Sequence, residues 1–128
     1  MREAVAALSA PQAIGPYSQA VRAGNLVFIS GQVGIDPETG ALETGDIEIQ
    51  TRRALKNLEA IVKRAGLELG NVVKVSIYMR DMGGFAAVNA VYREFFESPF
   101  PARCCVQVGD LPGQADVEIE AIAIIDNL

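Results

Sequence analysis

Apolar and polar positions along the chain follow two distinct periods. From Asp46 onward, Ile47, Thr51, Ala54, Leu55, Leu58, Ile61, Val62 and Ala65 recur at steps of three and four. That spacing marks one face of an α-helix. Asp46 suits the N-cap and Gly66 the C′ position, which bounds the predicted helix at both ends. On its opposite face, Glu48–Arg52 and Glu59–Lys63 stand at i,i+4, pairs worth roughly 0.2–0.5 kcal/mol each. A second helical stripe, Phe85, Val88, Tyr92, Phe95 and Phe96, predicts a helix from about Gly84 to Glu97. Ser98-Pro99-Phe100-Pro101 stops it, because proline lacks the amide and restricts the residue before it.

Elsewhere the period is two. Val72 to Met79 reads as a strand with Val73, Val75, Ile77 and Met79 on one face. Cys104 to Val108 is a short strand, and Asp116 to Ile125 is the last and longest. Gly15-Pro16 and Gly24-Asn25 are turn signals. They frame two strands, Tyr17 to Ala23 and Leu26 to Ser30, which form a hairpin closed at Ala23-Gly24-Asn25. Asp36-Pro37 and Thr39-Gly40 mark a loop reaching about Gly45. The order is β-β-α-β-α-β-β, with room for one more strand at the N-terminus. Two helices on one face of a mixed sheet is the economical packing, an α+β arrangement.

That packing leaves one sheet face open. In the last strand Val117, Ile119, Ala121 and Ala123 share the face suited to the helices. Glu118, Glu120, Ile122 and Ile124 share the other, acidic at its start and apolar at its end. An apolar face in water is a sticky patch. A second copy of the chain is the simplest cover, so an oligomer is expected, with Glu118 and Glu120 near the rim of the contact. Ile122 and Ile124 also read as scattered surface residues.

Composition narrows the chemistry. The chain has 128 residues, the length of one domain (1–128), and shows no repeat, low-complexity tract or linker. It carries 11 basic and 16 acidic residues, a formal net charge of -5. Nucleic-acid binding driven by counterion release wants clustered positive charge and is disfavoured. The chain contains no histidine. That excludes Ser-His-Asp and Cys-His nucleophile systems and histidine-based metal sites. Two adjacent thiols, Cys104 and Cys105, cannot alone build a structural zinc site and are expected reduced. No run of ~18 apolar residues exists and the N-terminus lacks a signal-peptide core, so no membrane association and a cytoplasmic location are expected.

Few polar residues remain for chemistry. Two prolines stiffen the approach to Arg103. Along that strand Arg103, Cys105 and Gln107 face one way, and Cys104, Val106 and Val108 the other. A guanidinium is a planar fork that grips a carboxylate through two hydrogen bonds. Glu120 lies on a strand that could pair with this one. Arg103 and Glu120 on one sheet face would set an anion clamp beside a general acid/base. The same two residues also read as a solvated cross-strand salt bridge. Tyr17 and Ser30-Gly31 are unremarkable alone. Asn89, mid-helix, suggests either a specific hydrogen bond or a solvated side chain. Cys105 has no histidine to activate it, and a buried thiol tends to inertness. The acidic loop of Asp36, Glu38 and Glu43 lacks calcium-loop spacing.

Five segments together resemble the RidA/YjgF family: Ile14-Gly15-Pro16-Tyr17-Ser18-Gln19-Ala20, Ile29-Ser30-Gly31-Gln32, Val88-Asn89-Ala90-Val91-Tyr92, Phe100-Pro101-Ala102-Arg103, and Glu118-Ile119-Glu120-Ala121-Ile122-Ala123. They occur in the family's order across nearly the whole chain. The resemblance implies a chorismate-mutase-like α+β fold, a mixed six-stranded sheet with two helices on one face. It implies a homotrimer with active sites between subunits, and neither metal nor cofactor. It implies hydrolysis of 2-aminoacrylate, 2-iminopropanoate and 2-iminobutanoate to 2-oxo acids and ammonia. By position, Arg103 matches the arginine that holds the substrate carboxylate, and Glu120 the acid that positions water. Tyr17, Ser30, Gly31, Asn89 and Cys105 match substrate-lining positions. Cys104 stands where serine is common, and Met82-Gly83-Gly84 where a polar helix cap is usual, so a loosened helix start is expected. Rival readings are a non-catalytic 2-oxo-acid-binding or regulatory protein, a ribonuclease or translation inhibitor, and a holdase.

Overall fold

The computed structural model describes residues 1–126. The segments of period two become strands β1 (Arg2–Val5), β2 (Ala20–Ala23), β3 (Leu26–Gln32), β4 (Val72–Met79), β5 (Ala102–Gln107) and β6 (Val117–Ile124). The helical segments become α1 (Ile47–Arg64) and α2 (Phe85–Phe95). One mixed sheet holds all six strands in the order β1-β2-β3-β6-β4-β5. Only β4 and β5 run parallel, joined by the α2 crossover; every other pair is antiparallel. The expected α+β packing is observed, including the extra N-terminal strand.

α1 packs on β6 and β3 and against α2. Leu55, Leu58, Ile61 and Val62 meet Val75, Ile77, Ile119 and Val117 in a core from which water is almost fully excluded. Each such side chain contributes roughly 1.5–3 kcal/mol by leaving water. The ends of α1 form as expected. Asp46 accepts a hydrogen bond from the Ile49 amide at 3.2 Å. Gly66, at φ 83°, ends the helix and donates its amide to Lys63 at 2.9 Å, a backbone conformation that glycine adopts without steric cost.

Three local expectations are corrected. β2 starts at Ala20 rather than Tyr17, because Gln19 turns its side chain to the backbone of Ala7, Ala10 and Pro11 and anchors the preceding loop there. In β4 the buried residue is Val72, and Val73 is 43% exposed. The register against β6 shifts between Val72 and Lys74, so Val73 is the extra residue of a bulge. Arg52 does not pair with Glu48 but forks onto Glu94 of α2 at 2.7 and 3.1 Å, a bidentate pair stronger than a single charge contact. The expected missing cap of α2 is observed: its N-cap is Gly84, which offers no side-chain hydrogen bond, and the capping bonds fall on the turn before it. Asp81 accepts from the Gly83 amide at 2.8 Å in a 3-10 turn leading into the helix. Gln107 accepts from the Met82 amide at 3.0 Å.

Candidate active site

The strand register decides which side chains can meet. Val75, Ile77 and Met79 of β4 face the helices, and they lie beside Arg103, Cys105 and Gln107 of β5. On the open face, Ser76 lies between Cys104 of β5 and Glu120 of β6. Arg103 and Glu120 of one chain therefore occupy opposite faces of the sheet. This overturns the expectation of an Arg–Glu pair on one face. β6 pairs with β4 and not with β5, and the inserted strand fixes the parity. The alternation that turns Cys104 away from Arg103 is observed.

The Arg103 side is built on α2. Arg103 Nη1 donates to Asn89 Oδ1 at 2.7 Å. The guanidinium carbon sits 4.9 Å from the centre of the Tyr92 ring and 5.5 Å from that of Phe85. Such cation–π contacts contribute roughly 0.5–2 kcal/mol and orient the fork. Asn89 thus makes a specific hydrogen bond rather than pointing into solvent. A cavity of about 290 Å³ opens here, lined by Asn89, Tyr92, Arg93, Phe100, Pro101 and Arg103. Burial pushes the Tyr92 phenol up, with Arg103 acting in the opposite direction. Cys105 is half-buried against Met79, its Sγ 3.6 Å from Sδ. Burial raises its thiol and Arg103 only partly offsets this, which suits a lining residue better than a nucleophile.

The Glu120 side is built on bulged strand. The β3–β6 register shifts between Ile29 and Gln32, so Ser30-Gly31 forms a bulge. Ser30 donates its hydroxyl to the Ser18 carbonyl at 2.6 Å and ties down the Tyr17 segment. Tyr17 is 54% exposed and lines a cavity of about 420 Å³ together with Gly31. Gly31 leaves room for Glu118: a Cβ at that position would fall 2.6 Å from the carboxylate. Burial raises the Glu118 carboxyl, and the neighbouring Glu120 adds to this. Glu120 itself accepts a hydrogen bond from the Tyr78 hydroxyl at 2.7 Å.

The residues singled out in the sequence thus fall on two sides of the sheet: Asn89 and Cys105 lie with Arg103, while Glu120 lines a cavity with Ser76 and Lys74, and Tyr17 and Gly31 line a separate one. The sequence pattern did not single out Phe85 and Tyr92 as the platform for Arg103, nor Tyr78 as a partner of Glu120. The two aromatics read as core stripe. Tyr78 is signalled only by alternation, which puts it and Ser76 on the polar side of β4. Of the acidic loop, Glu43 is held by Arg53 at 3.1 Å and Asp36 caps a turn at the Glu38 amide.

Residues 7–125 match the protein family described as Endoribonuclease L-PSP. A RutC family protein of Pyrococcus horikoshii is 50% identical over 123 residues, covering 96% of this chain and 98% of the relative. A 2-iminobutanoate/2-iminopropanoate deaminase of Dermatophagoides farinae is 49% identical over 117 residues, covering 91% of each. The crystal structure of Escherichia coli TdcF with bound serine superposes with a TM-score of 0.92 at 42% identity, covering 97% of this chain and 99% of that one. The chain belongs to the RidA/YjgF family, and its sheet and helices are the chorismate-mutase-like fold that the resemblance implies.

Proposed function

We propose that the protein hydrolyses 2-iminopropanoate and 2-iminobutanoate, with their enamine tautomers such as 2-aminoacrylate, to 2-oxo acids and ammonia. The observation that carries this reading is the prearranged Arg103 fork, fixed by Asn89 and two aromatic faces beside an open cavity. The relative from Dermatophagoides farinae, whose name states this activity, supports it.

Arg103 takes the substrate carboxylate. A protonated imine carbon is already a strong electrophile, so orientation of water is the main remaining task, and it can contribute several kcal/mol. Glu120 accepts a proton from that water as it adds to the carbon. The carbinolamine then expels ammonia, with Glu120 returning its proton to the leaving nitrogen and then taking the hydroxyl proton as the carbonyl forms, which it releases to the ammonia. Protonated imine and water thus give 2-oxo acid and ammonium.

Because Arg103 and Glu120 lie on opposite faces of one chain, the proposed site is completed by a second copy. The open face of one subunit brings Glu120, Tyr17 and Gly31 to the Arg103 edge of its neighbour. Three such seams close a homotrimer.

The test is a coupled assay. A threonine dehydratase generates 2-iminobutanoate in the presence of semicarbazide, which traps it, and 2-oxobutanoate release is followed. Faster release with wild type, and none with Arg103→Ala, is the expected result. No acceleration by a folded, oligomeric sample would overturn the reading in favour of a non-catalytic binding protein.

A further inference from the structure

Glu120 has no salt-bridge partner among the described residues. What holds its carboxylate is a phenol. Tyr78 Oη donates to Glu120 Oε1 at 2.7 Å. The register explains the reach. Tyr78 lies directly opposite Glu118, and Glu120 directly opposite Ser76. The Tyr78–Glu120 contact is therefore a diagonal across two antiparallel strands, a span that a tyrosine can cover.

One phenol on one oxygen has a chemical consequence. A carboxylate that must orient water needs a fixed plane and one free oxygen. A cation gripping both oxygens would fix the plane but occupy them. A single O–H donor pins Oε1 and leaves Oε2 unoccupied. We propose that Tyr78 is a positioning residue for Glu120, holding Oε1 so that Oε2 meets the attacking water. This rests on the imine-hydrolysis reading of the site.

The surroundings agree with that role. Lys74 shares a cavity of about 220 Å³ with Glu120, Ser76 and Phe28. Glu118 of β6 and Cys104 of β5 are the other titratable groups beside the pair, and β3 contributes the uncharged Phe28, Ile29 and Ser30-Gly31 bulge. Tyr78 is also held in its donor state. Its hydrogen bond to Glu120 raises the phenol first, with burial and the Glu120 charge adding to this. The hydroxyl thus keeps its proton across the neutral range and serves as donor, not as base.

Tyr78→Phe removes one oxygen and preserves the ring. In the coupled imine assay kcat should fall about tenfold, the loss expected for one hydrogen bond to a charged group. KM should stay within about twofold, since Arg103 still binds the carboxylate. A second readout needs no turnover. Phenolate absorbance is titrated in wild type and Glu120→Gln, and the spectrum of Tyr78→Phe identifies which of the three tyrosines moves. Tyr78 should ionise at lower pH in Glu120→Gln. Wild-type kcat and KM in Tyr78→Phe, alongside an inactive Glu120→Gln, would overturn the inference and leave the function standing. Parallel loss of kcat, KM and thermal stability would also overturn it, as the mark of a packing role. Wild-type turnover in Glu120→Gln would remove Glu120 from the mechanism and overturn the inference with it, while leaving imine hydrolysis standing; no acceleration by wild type itself is the result that would remove the function reading.

Discussion

The guanidinium of Arg103 is fixed before a ligand arrives. Asn89 takes one of its donors, Tyr92 and Phe85 lie against its plane, and the fork faces a cavity. Arg103 itself is exposed on an edge strand, so Arg103→Ala should fold with a melting temperature close to wild type and lose nearly all turnover. Arg103→Lys tests the fork. An ammonium keeps the charge but neither binds a carboxylate with two parallel bonds nor stacks as a plane. Its kcat/KM should fall about a hundredfold, the worth of two lost charge-assisted bonds; near-wild-type kinetics would mean that charge alone suffices. Glu118 makes a prediction about stability. Its carboxyl is raised in the fold by burial and by Glu120. A raised acid binds its proton more tightly when folded, so stability falls as pH rises from the unfolded carboxylate value through the folded one. Glu118→Gln removes that cost. It should melt higher than wild type at pH 7, with the gain shrinking toward pH 4 in a thermal-melt series. Arg103 and Glu120 stand in plain view in the sequence. Their spatial relation does not, because the face of Arg103 relative to Glu120 depends on which strand separates them.

Elements explain where sequence patterning reaches and where it stops. The α1 stripe and its caps were legible because helix periodicity and end chemistry are local. Gln50 and Asn57 were not, since their burial answers to tertiary partners. Gln50 accepts from the Asp116 amide at 2.9 Å, and Asn57 donates to the Val33 and Ile35 carbonyls at 3.2 and 2.8 Å. The bulges at Val73 and Ser30-Gly31 escape alternation for a related reason. An extra residue shifts the side-chain face without altering composition. The α1–β3 junction carries a sharper test. Gly34 sits under α1, where an added Cβ would come within 2.8 Å of the Gln50 carbonyl oxygen and 2.9 Å of its Cα. Backbone cannot rotate aside as a side chain does. Gly34→Ala should therefore destabilise the fold by about 1–3 kcal/mol, read as a lower urea midpoint at unchanged slope. A midpoint equal to wild type would show that α1 lifts freely from the sheet.

For the whole molecule, the decisive fact is an open sheet face with apolar and acidic regions. Phe28 is 44% exposed and Val106 41%, with half-buried Ile122 and Ile124 on the same side. Covering that face by association is the proposed solution, and Ile124→Asp tests it by setting a charge in the contact. Light scattering should report a smaller species; an unchanged mass would place the contact elsewhere. The two faces also make a stronger demand. If each site takes Arg103 from one subunit and Glu120 from the next, neither Arg103→Ala nor Glu120→Gln homo-oligomers hold an intact site. Mixed oligomers do. At a seam between a Glu120→Gln subunit that gives Arg103 and an Arg103→Ala subunit that gives Glu120, both groups are wild type. Random assembly from equal amounts makes about a quarter of seams of this kind in any closed ring. Refolding the two inactive variants together should thus recover about a quarter of wild-type activity, while mixing them without dissociation recovers none. No recovery, with mixed oligomers verified by native mass spectrometry, would mean that one chain supplies both groups. The sheet register opposes that outcome, because β4 stands between β5 and β6 and turns Arg103 and Glu120 to opposite faces.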